Sequence, residues 1–133
     1  MKKANYKKFK IDGNGKVIPR NKQKDYFIKI LSKKNRPTAM ILYWSSLVPA
    51  VLAAARDLEI NIPSELSLIT FAGCVSQDAG LSVNAMIEPE QEMGKEAVKM
   101  LNKKMKGHNK PIKSVSLKFS YFDIGSSNKI KKA

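Results

Sequence analysis

Trp44, Ser45 and Ser46 end an apolar run, residues 39–43, and stand directly before a run with helical spacing. In an open α/β sheet, ligands sit at the corner where a strand gives way to a helix. An indole there can stack on a flat ring. It can equally fill a gap in a core or lie in a contact between chains. The serine hydroxyls can donate or accept hydrogen bonds. A second strand end, Phe71-Ala72-Gly73, offers a further ring and no charge.

Other groupings fall short of chemistry. Asp12-Gly-Asn-Gly-Lys16 suggests a calcium loop, but its twelfth position is Gln23 where a bidentate glutamate is needed. As a phosphate loop it lacks the four-residue spacer and the Ser/Thr after the lysine, so it reads as a turn. The single histidine, His108, lies in the lysine-rich stretch KGHNKP. There is no G-x-S-x-G elbow and no carboxylate pair flanking a cleft. Receiver-type phosphoryl transfer needs clustered aspartates at strand ends, and those ends offer Asp12, Ser45 and Ala72. Cys74 is the single cysteine, so no internal disulfide forms. No catalytic residues, metal ligands or cofactor are expected, and the chain is not read as an enzyme.

The elements that must hold the corner follow from periodicity. The 133 residues suit one domain. Tyr6, Phe9 and Ile11 alternate imperfectly and predict a first strand. Phe27, Ile30 and Leu31 predict a helix over 21–34, capped by Asn21. Pro37 then forces an extended chain into TAMILYW, which suits a strand buried on both faces of a parallel sheet. Pro49 fixes the start of the next helix. With Ser46 as its cap, the proline falls third, where its missing N–H costs nothing, and Ser45 is left freer to face a ligand. LSLITFAG and VNAMI predict two more strands. Pro89, Glu90 and Glu92 start a helix that Gly107 ends, with Met93, Ala97, Met100 and Leu101 as an apolar stripe. Val115, Leu117 and Phe119 alternate inward in a further strand, and YFDIGSS closes the fold. The fold class is α/β, a mostly parallel sheet flanked by helices.

Net charge is +14. Residues 1–34 hold eleven lysines and Arg20 against Asp12 and Asp25, a net +10, and the other 99 residues carry the rest. Only three arginines occur, whereas base reading and bidentate phosphate contacts favour arginine. A solvated lysine-rich surface is the first reading and a nucleic-acid footprint the second. No apolar run approaches a membrane span, and no apolar segment follows the basic start as a signal peptide needs. A cytoplasmic protein with no membrane contact is expected.

Four segments in order resemble the lactose-repressor (LacI) family of transcription regulators: Arg36-Pro37-Thr38-Ala39, INIPSELSLITF, IEPEQEMGKEAVKMLNKKMKG and Gly125-Ser126. The match covers about residues 36–127. The resemblance implies a periplasmic-binding-protein-like, flavodoxin-like lobe over residues 1–127 with a basic tail, 128–133. It also implies a small effector held between two lobes, a homodimer, and DNA binding only through a helix-turn-helix that this chain lacks. The N-terminal lobe is missing too, so the chain reads as the C-terminal portion of an effector domain. In the family the helix matching 90–106 packs in the other lobe, so its stripe needs another partner here, such as a second chain.

The family's Asn-Asp falls on Trp44-Ser45, and its Gly-Phe-Asp-Asp on Thr70-Phe71-Ala72-Gly73. The aspartates that grip sugar hydroxyls are gone. One charged hydrogen bond contributes about 1.5–3 kcal/mol, so each loss weakens binding by roughly one to two decades. The expected ligand-binding set is Trp44, Ser45, Phe71, Ala72 and Asp12, and an apolar or aromatic effector, or none, is favoured over a sugar. A lobe of a solute-binding protein, a self-associating half-domain without ligand, and a nucleic-acid binder acting through residues 1–34 remain alternatives.

Overall fold

The computed structural model describes residues 18–73, 82–107, 111 and 113–128. The expected first strand, the Asp12 turn, Cys74, His108 and the tail from 129 onward lie outside them.

The order is α1 (Arg20–Leu31), β1 (Ala39–Leu42), a 3₁₀ turn (Ser45–Leu47), α2 (Val48–Asp57), β2 (Ser67–Ala72), β3 (Asn84–Ile87), α3 (Glu90–Met105) and β4 (Ser120–Phe122). The four strands form one sheet in the order β1-β2-β3-β4. The first two pairings run parallel and β4 runs antiparallel to β3. Strands joined through helices make such a sheet the expected product of the sequence pattern, and the α/β class holds.

Register explains the layers. Met40 lies opposite Leu68 and Leu42 opposite Thr70. Side chains alternate along a strand, so these four share one face. That face is buried by Phe27, Ile30 and Leu31 of α1 and by Val48, Val51 and Ala54 of α2, with Leu66 and Val83 completing the core. Helices α1 and α2 pack against each other in the same layer.

The opposite face is different. The apolar run 39–43 predicts burial on both sides, yet Ala39 is exposed and Ile41 is 71% exposed. Among the described residues no helix covers that side of β1. Toward β3 the face is covered by the C-terminal segment. Asn84 is fully buried. Its side-chain oxygen accepts from the backbone N–H of Ile124 (2.9 Å) and Ser126 (3.0 Å). Its amide nitrogen donates to the Tyr121 hydroxyl (2.7 Å) and to Ser127 Oγ (2.8 Å). Ser126 Oγ accepts from the Asn84 N–H and donates to the Leu68 carbonyl.

Three local expectations are corrected. Helix α1 starts at Arg20 with Pro19 before it and no side-chain cap, so Asn21 is not the cap. Ser46 does not cap α2. The chain turns first through Ser45–Leu47, and the helix starts at Val48 with Pro49 in its first turn. The proline's missing donor is harmless there too, so the same chemistry admits both starts. Residues 114–119 form no strand. Val115 and Phe119 are half-exposed, and only Ser120–Phe122 pair with β3.

Helix α3 keeps its sequence signals, with Glu90 and Glu92 in the first turn and Lys103 and Lys104 in the last. Gly107 follows at φ +78°, the left-handed geometry glycine adopts freely. None of its residues is buried. Among the described residues the stripe is therefore not core packing, and Met93 and Leu101 are at least half exposed.

The Arg36 and Glu65 segments, distant in sequence, meet at the N-terminal ends of β1 and β2. Arg36 Nη2 donates to Glu65 Oε1 at 2.8 Å. Glu65 Oε2 accepts from the backbone and side-chain N–H groups of Asn61, both at 3.0 Å. These bonds from Asn61, then the Arg36 charge, hold the Glu65 carboxyl below the usual carboxylate range. A carboxylate whose pKa falls on folding stabilises the fold at neutral pH. The contribution fades as pH drops through the folded-state value, because the unfolded chain takes up the proton first. Urea midpoints of the native chain should therefore approach those of Glu65→Gln between about pH 6 and about pH 3. A constant gap across that range would show that the carboxylate charge plays no part.

Candidate functional site

The corner expected from sequence is assembled at the C-terminal ends of β1 and β2. Leu42 is level with Thr70, so the next residues, Tyr43 and Phe71, come side by side. Their ring centroids are 6.0 Å apart. Trp44 stands edge-on to Tyr43 at 5.8 Å, and Phe119 edge-on to Phe71 at 5.9 Å. Trp44, Tyr43, Phe71 and Phe119 thus form a continuous row of rings. Trp44 is 44% exposed and Tyr43 68%. Such edge-to-face pairs favour one another by about 0.5–1.5 kcal/mol beyond the area they bury.

Hydrogen bonds fix the backbone beneath the rings. The Leu47 N–H donates to the Trp44 carbonyl at 3.1 Å and closes the 3₁₀ turn. The buried Thr70 hydroxyl has the Leu42 carbonyl at 3.0 Å and the Phe71 carbonyl at 3.1 Å, tying β1 to β2 one residue before the corner.

Of the expected residues, Trp44 and Ser45 are exposed and Phe71 is half-buried. Ala72 is 7% exposed and faces the helix layer, so it shapes the corner from below. Asp12 lies outside the described residues. Three residues escaped the sequence reading. Tyr43 and Phe119 complete the row, and alternation along β1 would have placed Tyr43 beside Phe71. The third is Glu90, whose carboxylate lies against Gly73 at the end of β2. Nothing local in the sequence signals that approach, because it depends on how α3 leaves β3.

Beside the corner runs a groove of about 690 Å³. Ile18, Gln23, Tyr26 and Phe27 form its helix side, and residues 40–44 its strand side, with Ser46 and Leu47 at the end. Its lining is chiefly apolar and aromatic, as small-molecule sites are. Among the described residues no three His, Cys, Asp or Glu side chains gather as a metal site would need. No described helix is long and apolar enough to cross a membrane.

Residues 4–127 match the periplasmic binding protein-like domain family. The chain belongs to that family. The fold of this periplasmic binding protein-like domain is shared with solved LacI-family structures. One is a LacI family transcriptional regulator from Bifidobacterium animalis subsp. lactis DSM 10140, with TM-score 0.71 and 19% identity over 84% of this chain. Another is a regulatory protein of LacI family from Chloroflexus aggregans, with TM-score 0.65 and 20% identity over 82% of this chain. The domain spans 41% and 40% of those two chains. Among curated proteins none matches by sequence. The resemblance carried by Arg36–Ala39, the Pro63 segment and the Pro89–Ala97 helix is thus met by the fold.

Proposed function

We propose that this domain is the effector-binding and self-associating portion of a LacI-type transcription regulator. The effector is a flat, apolar or aromatic small molecule, and DNA is contacted through another part of the regulator. The row of rings Trp44–Tyr43–Phe71–Phe119 at the ends of parallel strands carries this reading. That position is the ligand corner of open α/β sheets. The aspartates that would grip a sugar are replaced here by Trp44-Ser45 and Ala72-Gly73. Ser45 and Glu90 supply polar contacts at either side of the rings.

Trp44 is the single tryptophan, so its emission reports the corner directly. Titration with a panel of aromatic compounds (indole, adenine, phenol) should shift or quench that emission saturably for at least one member, while glucose and ribose leave it unchanged. Saturable binding of the sugars with no response to any aromatic would overturn the effector class.

Self-association is supported by the unburied apolar residues of α3. Sedimentation velocity should return about twice the 14.9 kDa chain mass at low and moderate salt. Replacing Met93 and Leu101 together by serine should return a compact monomer. A native chain that is already monomeric would remove this part of the reading.

A further inference from the structure

Among the described residues nothing buries the apolar side of α3. Met93, Ala97, Leu101 and Met105 recur every fourth residue and so share one side of the helix. Gly94 has open space where a side chain would start, so another backbone can come close beside Ala97. The charges bordering this stripe are segregated along the helix. Glu92 and Lys103 are eleven residues apart, about three turns, so both border the stripe on the same side. Glu96 and Lys99 lie between them on that border and pair with each other at 2.6 Å. The border is thus acidic toward the start of α3 and basic toward its end.

We propose that α3 pairs with α3 of a second copy, antiparallel, about a two-fold axis beside Ala97. The pairing rests on the self-association reading above and gives it a surface and a direction. The spacing is self-complementary about residue 97. Met93 and Leu101 each lie four residues from it, so Met93 of one chain meets the partner's Leu101. Glu92 lies five residues before Ala97 and Lys103 six after, so Glu92 comes level with the partner's Lys103 to within about 1.5 Å along the axis. A two-fold interface repeats every contact, so this ion pair forms at both ends. A parallel pair would set Glu92 against the partner's Glu92 and Lys103 against the partner's Lys103, and like charges repel.

The antiparallel arrangement also sets the positive start of each helix beside the negative end of the other. A surface of different sequence would need only the apolar stripe. Acid and base placed symmetrically about Ala97 are what a second copy of the same helix meets. Glu90, at the start of α3, lies against Gly73 at the end of β2, so in each copy the paired helix is joined directly to the corner at the strand ends.

Two readouts on the whole chain test this. In a Cys74→Ser background, Ala97→Cys and, separately, Met105→Cys are oxidised with copper phenanthroline. Ala97→Cys should give a covalent dimer, because position 97 meets itself at the axis. Met105→Cys should not, because the two copies of position 105 lie about 24 Å apart along the axis and a disulfide spans at most about 7 Å between Cα atoms. Sedimentation then follows the charges. Glu92→Lys and Lys103→Glu should each raise the dimer dissociation constant about two- to thirty-fold at low salt. The double variant carrying both should return to within about threefold of the native value, because the pair is restored with its signs exchanged. Matching far-UV circular dichroism of all variants checks that the helix is kept. If the native chain is a dimer, cross-linking at both positions shows a parallel pair and overturns the proposal. Cross-linking at neither position, or no rescue by the double variant, places the dimer contact elsewhere and overturns it too, while self-association stands. A monomeric native chain removes the pairing and the self-association reading together and leaves the stripe to another part of the regulator.

Discussion

Asn84→Leu should lower the unfolding free energy by about 2–4 kcal/mol, read as a drop in the urea midpoint. The side chain makes four hydrogen bonds, two accepted from backbone N–H groups and two donated to hydroxyls. Leucine keeps the volume and removes all four. The Ser126 N–H then stays buried without an acceptor, and each such group costs about 1–3 kcal/mol. Tyr121 is half-exposed, so water replaces part of what is lost on its side and the upper end is not exceeded. The loss is also local. Hydrogen exchange should lose protection first over residues 120–127, before the β1–β2 ladder does. Unchanged exchange there would show that the segment is held by something other than Asn84.

Leu68→Ala should cost about 3–5 kcal/mol, the larger of the two effects. Leu68 is on the central pair of strands, level with Met40, and fully buried between the sheet and the α1–α2 layer. Truncation leaves a cavity that the sheet cannot close, because strand spacing is set by the backbone ladder and not by the side chains. The same substitution at Leu101 should change stability by less than about 0.5 kcal/mol in the monomer, since that side chain is 58% exposed. Thermal or urea unfolding of the two variants separates the core from the unburied α3 residues. A similar loss at both positions would place α3 in the folding unit after all.

The contrast between these two leucines marks how far a sequence can be read. Both lie in apolar patterns, Leu68 in a strand-like run and Leu101 in a helical stripe. Periodicity says which side of an element is apolar, and that held for both. It does not say whether another element lies against that side. For Leu68 the cover is α1 and α2. For Leu101 no described element of this chain supplies it. The same gap explains β1, whose apolar run was read as doubly buried and whose second face no described helix covers. It also explains residues 114–119, whose alternation meets no strand to pair with among the described residues.

The corner at the strand ends shows a similar split. That Trp44 and Ser45 stand at a strand end followed from the apolar run stopping there and from Pro49, which cannot sit deep within a helix. That Phe71 belongs to the same corner followed from the second run and from the LacI resemblance. The parallel register that brings Tyr43 level with Phe71, the folding of Phe119 against Phe71, and the approach of Glu90 to Gly73 are contacts between segments far apart in the chain. No local preference encodes them.

The chain by itself therefore determined the α/β class, the types and order of α1 to α3 and of β1 to β3, the ends of α3 marked by acidic residues and glycine, and the family motifs around Arg36, Pro63 and Pro89. These depend on interactions within a few residues, on dihedral limits, capping and alternation. Tertiary structure alone decided which apolar faces are buried, that Asn84 anchors the C-terminal segment, and that Arg36 and Glu65 meet across the ends of β1 and β2. Each of these depends on closing loops of tens of residues, and only the packing of the whole sheet against α1 and α2 selects among the many ways such loops can close.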